Sequence, residues 1–73
     1  MPETLTVEEA RRMKGVSQSE MASLLNISLN AYRSKEKGET KFYYDEAVKF
    51  SERLNIPMSK ILFYSDSSRN MEH

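Results

Sequence analysis

Apolar residues along this chain recur at helical rather than strand spacing, in short blocks separated by Gly15, Asn26, Gly38 and Asn55. Those four separators are residues that tolerate a left-handed backbone, the usual way to stop a helix. Cap-forming residues open most of the blocks. Thr6 with Glu9 matches a capping box, which predicts a first helix from Val7 to Lys14 with Gly15 as its stop. Ser17 with Glu20 matches a second box and opens a helix from Gln18 to Leu25, followed by Asn26. Ser28 caps a third helix, Leu29 to Lys37, which Gly38 ends. A fourth starts near Tyr44 or Asp45 and runs to Leu54, with Asn55 beyond it. Pro57 suits the first turn of a fifth, taking in Ser59 to Phe63. The expectation is a compact all-α, five-helix domain over residues 1–64, with a disordered tail over residues 65–73.

Spacing also nominates the core. Val7 and Ala10 face inward from the first helix, and Met21, Ala22 and Leu25 from the second. Ile27 plugs the turn and Tyr32 is the inward residue of the third helix. Tyr44, Ala47, Val48, Ser51 and Leu54 share one face of the fourth, and Ile56, Ile61 and Leu62 close the bottom. The run Phe42-Tyr43-Tyr44 reads as core and staple rather than a stacking platform for bases, because it precedes a helix cap. Ala22 sits mid-helix where the second and third helices must cross closely after a turn of about three residues, and a longer side chain would part them.

Composition narrows the class. Seventy-three residues make one small domain, and the absence of cysteine removes disulfides and thiolate metal sites as props for its core. No run approaches the ~18 apolar residues of a membrane span, and the acidic start is unlike a signal peptide, so a cytoplasmic protein is expected. Catalysis, cofactor and metal binding find no support: the single histidine is His73, and there is no glycine-rich phosphate loop or nucleophile with a base. Asp45 and Glu46 are adjacent on a helix and so point in different directions. The net charge is zero, an awkward value for a nucleic-acid binder. Clustering partly offsets it. Residues 28–41 hold Arg33, Lys35, Lys37 and Lys41 against Glu36 and Glu39, whereas residues 1–10 hold only acids, Glu3, Glu8 and Glu9.

The segment QSEMASLLNISLNAYRSKEKGE resembles the helix-turn-helix of the Cro/phage-repressor type, a family of small bacterial and phage regulators with a five-helix, lambda-repressor-like domain. Gln18, Ala22, Leu25, Ile27, Ser28, Glu36 and Gly38 agree together, and RRMKGVSQ upstream and RLNIPMSKIL downstream extend the resemblance over residues 5–63. The resemblance implies that Arg11 and Glu36 form an ion pair joining the first helix to the end of the third. It also implies double-stranded DNA as partner, with the third helix in the major groove of an operator. On that basis Ser28, Leu29, Asn30, Arg33 and Ser34 become base-edge candidates. Asn30 suits adenine, Leu29 a thymine methyl, and Arg33 guanine or a phosphate. Gln18 would hold a phosphate at the start of the second helix, with Lys37, Lys41 and Tyr43 adding backbone contacts.

Three positions depart from the family pattern. Asn26 replaces a turn glycine, Phe42 stands where proline is common, and Lys35 stands where a large apolar residue is usual. An uncompensated buried ammonium is expensive, so Lys35 is expected to snorkel outward or the third helix to end early. Bland readings stand beside the functional ones: Ser28 as a plain N-cap, and Arg33, Lys35 and Lys37 as a solvated face. A second function also fits the scaffold, an antirepressor or modulator that captures a repressor protein; net neutrality, the acidic N-terminal third and the atypical Lys35 favour it. Leu29, Met58 and Phe63 would then be contact residues. The fifth helix and Phe63-Tyr64 are candidate homodimer surfaces. Either role belongs to bacterial or phage gene control, such as a lysogeny switch.

Overall fold

A computed structural model describes residues 4–63. The elements run β1 (Leu5–Thr6), α1 (Val7–Met13), α2 (Gln18–Leu25), α3 (Leu29–Lys37), α4 (Tyr44–Leu54), a single 3-10 turn (Met58–Lys60) and β2 (Ile61–Leu62). The expected disordered tail and Tyr64 lie outside the described residues.

Local capping accounts for the helix starts. The Glu9 N–H donates to Thr6 Oγ1 at 3.1 Å, and the Thr6 N–H donates back to Glu9 Oε1 at 2.9 Å, closing the first box. At α2 only half of the second box forms. The Glu20 N–H donates to Ser17 Oγ, but the Glu20 carboxylate is taken by Arg53 of α4, whose Nη2 lies 2.6 Å from Oε2. The Ala31 N–H donates to Ser28 Oγ at the start of α3. Asn26 (φ 61°) and Asn55 (φ 57°) adopt the left-handed conformation that ends α2 and α4, as Gly38 does for α3. Asparagine is suited to this because its short polar side chain tolerates positive φ. Helix α1 ends one residue before Lys14, which serves as its C-cap.

The expected fifth helix is absent. In its place the chain makes one 3-10 turn and then extends, pairing in parallel with β1 in the register Leu5–Ile61 and Thr6–Leu62. Leu5 and Thr6 offer the segment a strand to pair with, so it extends instead of closing into a helix. β-branched Ile61 is also well placed on a strand. Over the described residues the fold is therefore four α-helices closed by a two-stranded parallel ribbon.

The core gathers Val7, Ala10, Val16, Met21, Ala22, Leu25, Tyr32, Phe50, Leu54, Ile56 and Ile61. Its fully enclosed large side chains are Tyr32, Phe50, Met21 and Leu54. Each such burial contributes about 1.5–3 kcal/mol. Two assignments need correction. Tyr44, expected inside, is 77% exposed, while Phe50 is fully buried. The inward face of α4 is Ala47, Phe50, Ser51 and Leu54, rotated from the expected stripe. Of the Phe42-Tyr43-Tyr44 run, only Phe42 packs inward. It meets Phe50 edge-on at 5.6 Å and Phe63 at 5.0 Å, and Phe50 and Phe63 complete the triangle at 5.6 Å. Such edge-to-face pairs are worth about 0.5–1.5 kcal/mol each beyond area burial. Ile27, Val48 and Leu62 are half-buried.

Lys35 neither snorkels outward nor shortens α3. Its side chain is only 9% exposed and its ammonium is fully compensated. Nζ lies 2.9 Å from Glu46 Oε1, donates to the Lys41 carbonyl at 2.8 Å, and sits 4.9 Å from the centre of the Tyr43 ring. Three partners replace the water it has lost, which is the condition for burying a charge.

Candidate nucleic-acid interface

Helices α2 and α3 meet through the tight turn Asn26-Ile27-Ser28. Ala22 is 4% exposed, and the Ile27 N–H donates to the Ala22 carbonyl at 3.0 Å, pinning the turn on the helix that precedes it. This crossing turns the first turn of α3 outward. Asn30 and Arg33 are exposed there, Leu29 is half-buried, and Ser28 is exposed with its hydroxyl engaged as the cap. Ser34 is half-buried and accepts two backbone N–H groups, from Glu39 and Thr40, at its carbonyl. Lys37 is exposed at the far end of α3. Lys41 and Tyr43 are exposed on the loop between α3 and α4.

Beneath this face lies a polar cluster. Arg11 of α1 donates from Nε to Glu36 Oε2 at 2.8 Å and from Nη2 to Oε1 at 3.3 Å, a two-pronged ion pair. The two side chains are 9% and 6% exposed. Arg11 Nη1 also donates to the Val16 carbonyl at 2.8 Å. Glu36 accepts two further bonds, from the Tyr32 hydroxyl at 2.8 Å and from Gln18 Nε2 at 2.7 Å. Burial alone would raise the Glu36 carboxyl, but the hydrogen bonds from Arg11, Tyr32 and Gln18 outweigh it and hold the group below the ordinary glutamate value. The Arg11 guanidinium is held above its ordinary value by the hydrogen bond to Glu36, against the opposing pull of burial. The Tyr32 phenol is pushed far above its ordinary range by burial and then by its bond to the Glu36 carboxylate.

Gln18 links this cluster to the surface. Its Oε1 accepts from Arg33 Nε at 3.3 Å while its Nε2 serves Glu36. A phosphate role for Gln18 must therefore use the second N–H of Nε2, because the first is donated to Glu36 and the carbonyl oxygen has no proton to offer a phosphate. Gln18, Arg33 and Lys37 line one open cleft together with Glu8 and Glu36. Lys41 and Tyr43 are not part of that cleft. Phe63 is engaged with Phe42 and Phe50 in the aromatic triangle, which leaves it a poor free anchor for a second chain.

Three contributors escape sequence reasoning. Spacing places Tyr32 in the core alone, yet its hydroxyl serves Glu36; the available signal is their separation of four positions on one helix, which makes them neighbours. Glu8 joins the cleft from α1, and no local spacing points to it. The Lys35–Glu46 pair joins two helices across a loop and has no local signature either.

Among curated proteins, none matches the chain. A helix-turn-helix family model matches residues 7–61, which takes in all four helices, the 3-10 turn and the first residue of β2. That span covers most of the 73 residues. With the tight α2–α3 crossing and the outward face of α3, it assigns the chain to the Cro/repressor-type helix-turn-helix family of DNA-binding regulators.

Proposed function

We propose that this protein is a sequence-specific transcriptional regulator that lays α3 in the major groove of a palindromic operator, as a homodimer, in a bacterial or phage genetic switch. The observation that carries the reading is the outward first turn of α3, fixed by the Ala22 crossing and capped by Ser28. Asn30 is exposed there to meet adenine in bidentate fashion, and Arg33 to meet guanine or phosphate. Leu29 is the candidate for a thymine methyl, and Ser28 and Ser34 flank them. Gln18, Lys37, Lys41 and Tyr43 supply contacts to the sugar-phosphate backbone, which position the domain without specifying sequence. Arg11 and Glu36 set the angle of α3 from beneath.

A second reading rests on the net charge of zero and on Glu8, which places an acid in the cleft beside Gln18 and Arg33. Under it the same scaffold binds a repressor protein as an antirepressor. Selection from a random-sequence DNA pool at about 0.15 M salt, where the Debye length is ~8 Å, separates the two. An enriched palindrome that Asn30→Ala no longer selects supports direct readout, and each base contact is expected to carry about 1–3 kcal/mol of discrimination. A folded protein that enriches nothing removes the first reading and leaves the repressor partner.

A further inference from the structure

The loop between α3 and α4 is held in an unusual way. Among the described residues, neither Lys41 nor Phe42 makes a backbone–backbone hydrogen bond. The Lys41 carbonyl is instead held by the Lys35 ammonium at 2.8 Å. At the end of the loop the Tyr43 N–H donates to Glu46 Oε1 at 2.9 Å, and that same oxygen lies 2.9 Å from Lys35 Nζ. The Tyr43 ring covers the ammonium at 4.9 Å. One buried cation thus gathers the last turn of α3, the middle and end of the loop, and the first turn of α4. An apolar side chain would fill this space without the cost of stripping water from a charge. It could not, however, aim the Lys41 carbonyl, because dispersion has no direction and a hydrogen bond does. Lys41 and Tyr43 are among the side chains this joint presents to solvent.

We propose that Lys35 is a positioning residue for DNA binding: from a buried site it fixes the α3–α4 loop so that Lys41 and Tyr43 stand beside α3 at the phosphates. This rests on the major-groove reading above. Its own charge is neutralised by Glu46 and contributes nothing directly to phosphate contact.

The test is the double variant Lys35→Met/Glu46→Gln, which keeps the net charge and an acceptor for the Tyr43 N–H while removing the joint. Its affinity for the selected operator is measured against salt. The expected result is a folded protein whose affinity drops several-fold and whose salt slope is shallower by about 1–2, at ~0.9 for each phosphate no longer neutralised. Preference for the operator over single-base variants is retained, because α3 still reads the bases. In a Lys41→Ala background the same double change should alter the slope little further. If the double variant does not fold, the milder Lys35→Gln/Glu46→Gln, which also keeps the net charge, is expected to move both readouts less but in the same direction. A wild type that binds DNA, with a variant of unchanged affinity and slope, overturns this proposal alone. A wild type with no salt-dependent DNA binding overturns both this proposal and the reading on which it rests.

Discussion

Replacing Glu36 by alanine removes the acceptor for four hydrogen bonds at once: two from Arg11, one from Tyr32 and one from Gln18. The guanidinium left behind is 9% exposed, with only the Val16 carbonyl to replace its missing partner. Breaking a buried pair by removing one member costs about 3–5 kcal/mol. A domain of 73 residues has a total stability of roughly 4–11 kcal/mol, so the loss is a large share of the whole. Urea unfolding followed by far-ultraviolet circular dichroism measures it, and heating should show a fall in Tm of roughly 15 °C or more. The companion Arg11→Met/Glu36→Leu should recover most of the loss, because an apolar pair carries no desolvation cost. The pH dependence has a definite sign. The folded state holds the Glu36 carboxyl below its ordinary value of 4.5, so the unfolded chain takes up the proton more readily. The stabilisation is complete above that ordinary value and is lost as pH falls from there through the folded-state value. Glu36→Ala should flatten this acid limb. A cost below about 1 kcal/mol, the range of an exposed pair, would refute the claim that burial makes this cluster strong.

Phe50→Ala, which empties the centre of the aromatic triangle, should cost about 3–5 kcal/mol, whereas Tyr44→Ala should stay within about 0.5 kcal/mol; thermal melts that rank them the other way would contradict the α4 face described above. Arg53→Ala breaks a pair with Glu20 whose side chains are 42% and 50% exposed, so it should cost under about 1 kcal/mol, and the difference should shrink at high salt in denaturant titrations.

The features legible in the sequence are the local ones. Helices α2 and α3 run over the residues their caps mark, since Ser17, Ser28, Asn26 and Gly38 act on backbone groups within a few positions. The fifth helix fails because a distant partner decides its segment: Pro57 and the residues after it look like a helix start until Leu5 and Thr6 offer a strand to pair with. The stripe on α4 is legible at Ala47, Ser51 and Leu54 and differs at its edge, where Phe50 is buried and Tyr44 exposed, because both are aromatic and spacing alone does not choose between them. Lys35 escapes because its residue type argues for water, and its compensation comes from Glu46 on the next helix. At the candidate interface, the exposed face of α3 follows from its cap and its register. The engagement of Gln18 with Glu36 and Arg33 does not, because it depends on how three helices converge.

The parallel ribbon also bears on the order in which this domain assembles. Register Leu5–Ile61 joins positions separated by nearly the whole described chain, whereas α2 and α3 touch across a three-residue turn. Closing so long a loop carries an entropic cost that only the finished core repays. The helical pair can therefore form early, from neighbours. The seam between β1 and β2, together with the burial of Ile61 and the seating of Phe63 on Phe42 and Phe50, comes late. The ribbon contributes few hydrogen bonds, yet it is the clasp whose closing marks the point at which the separate helices become a single cooperative unit.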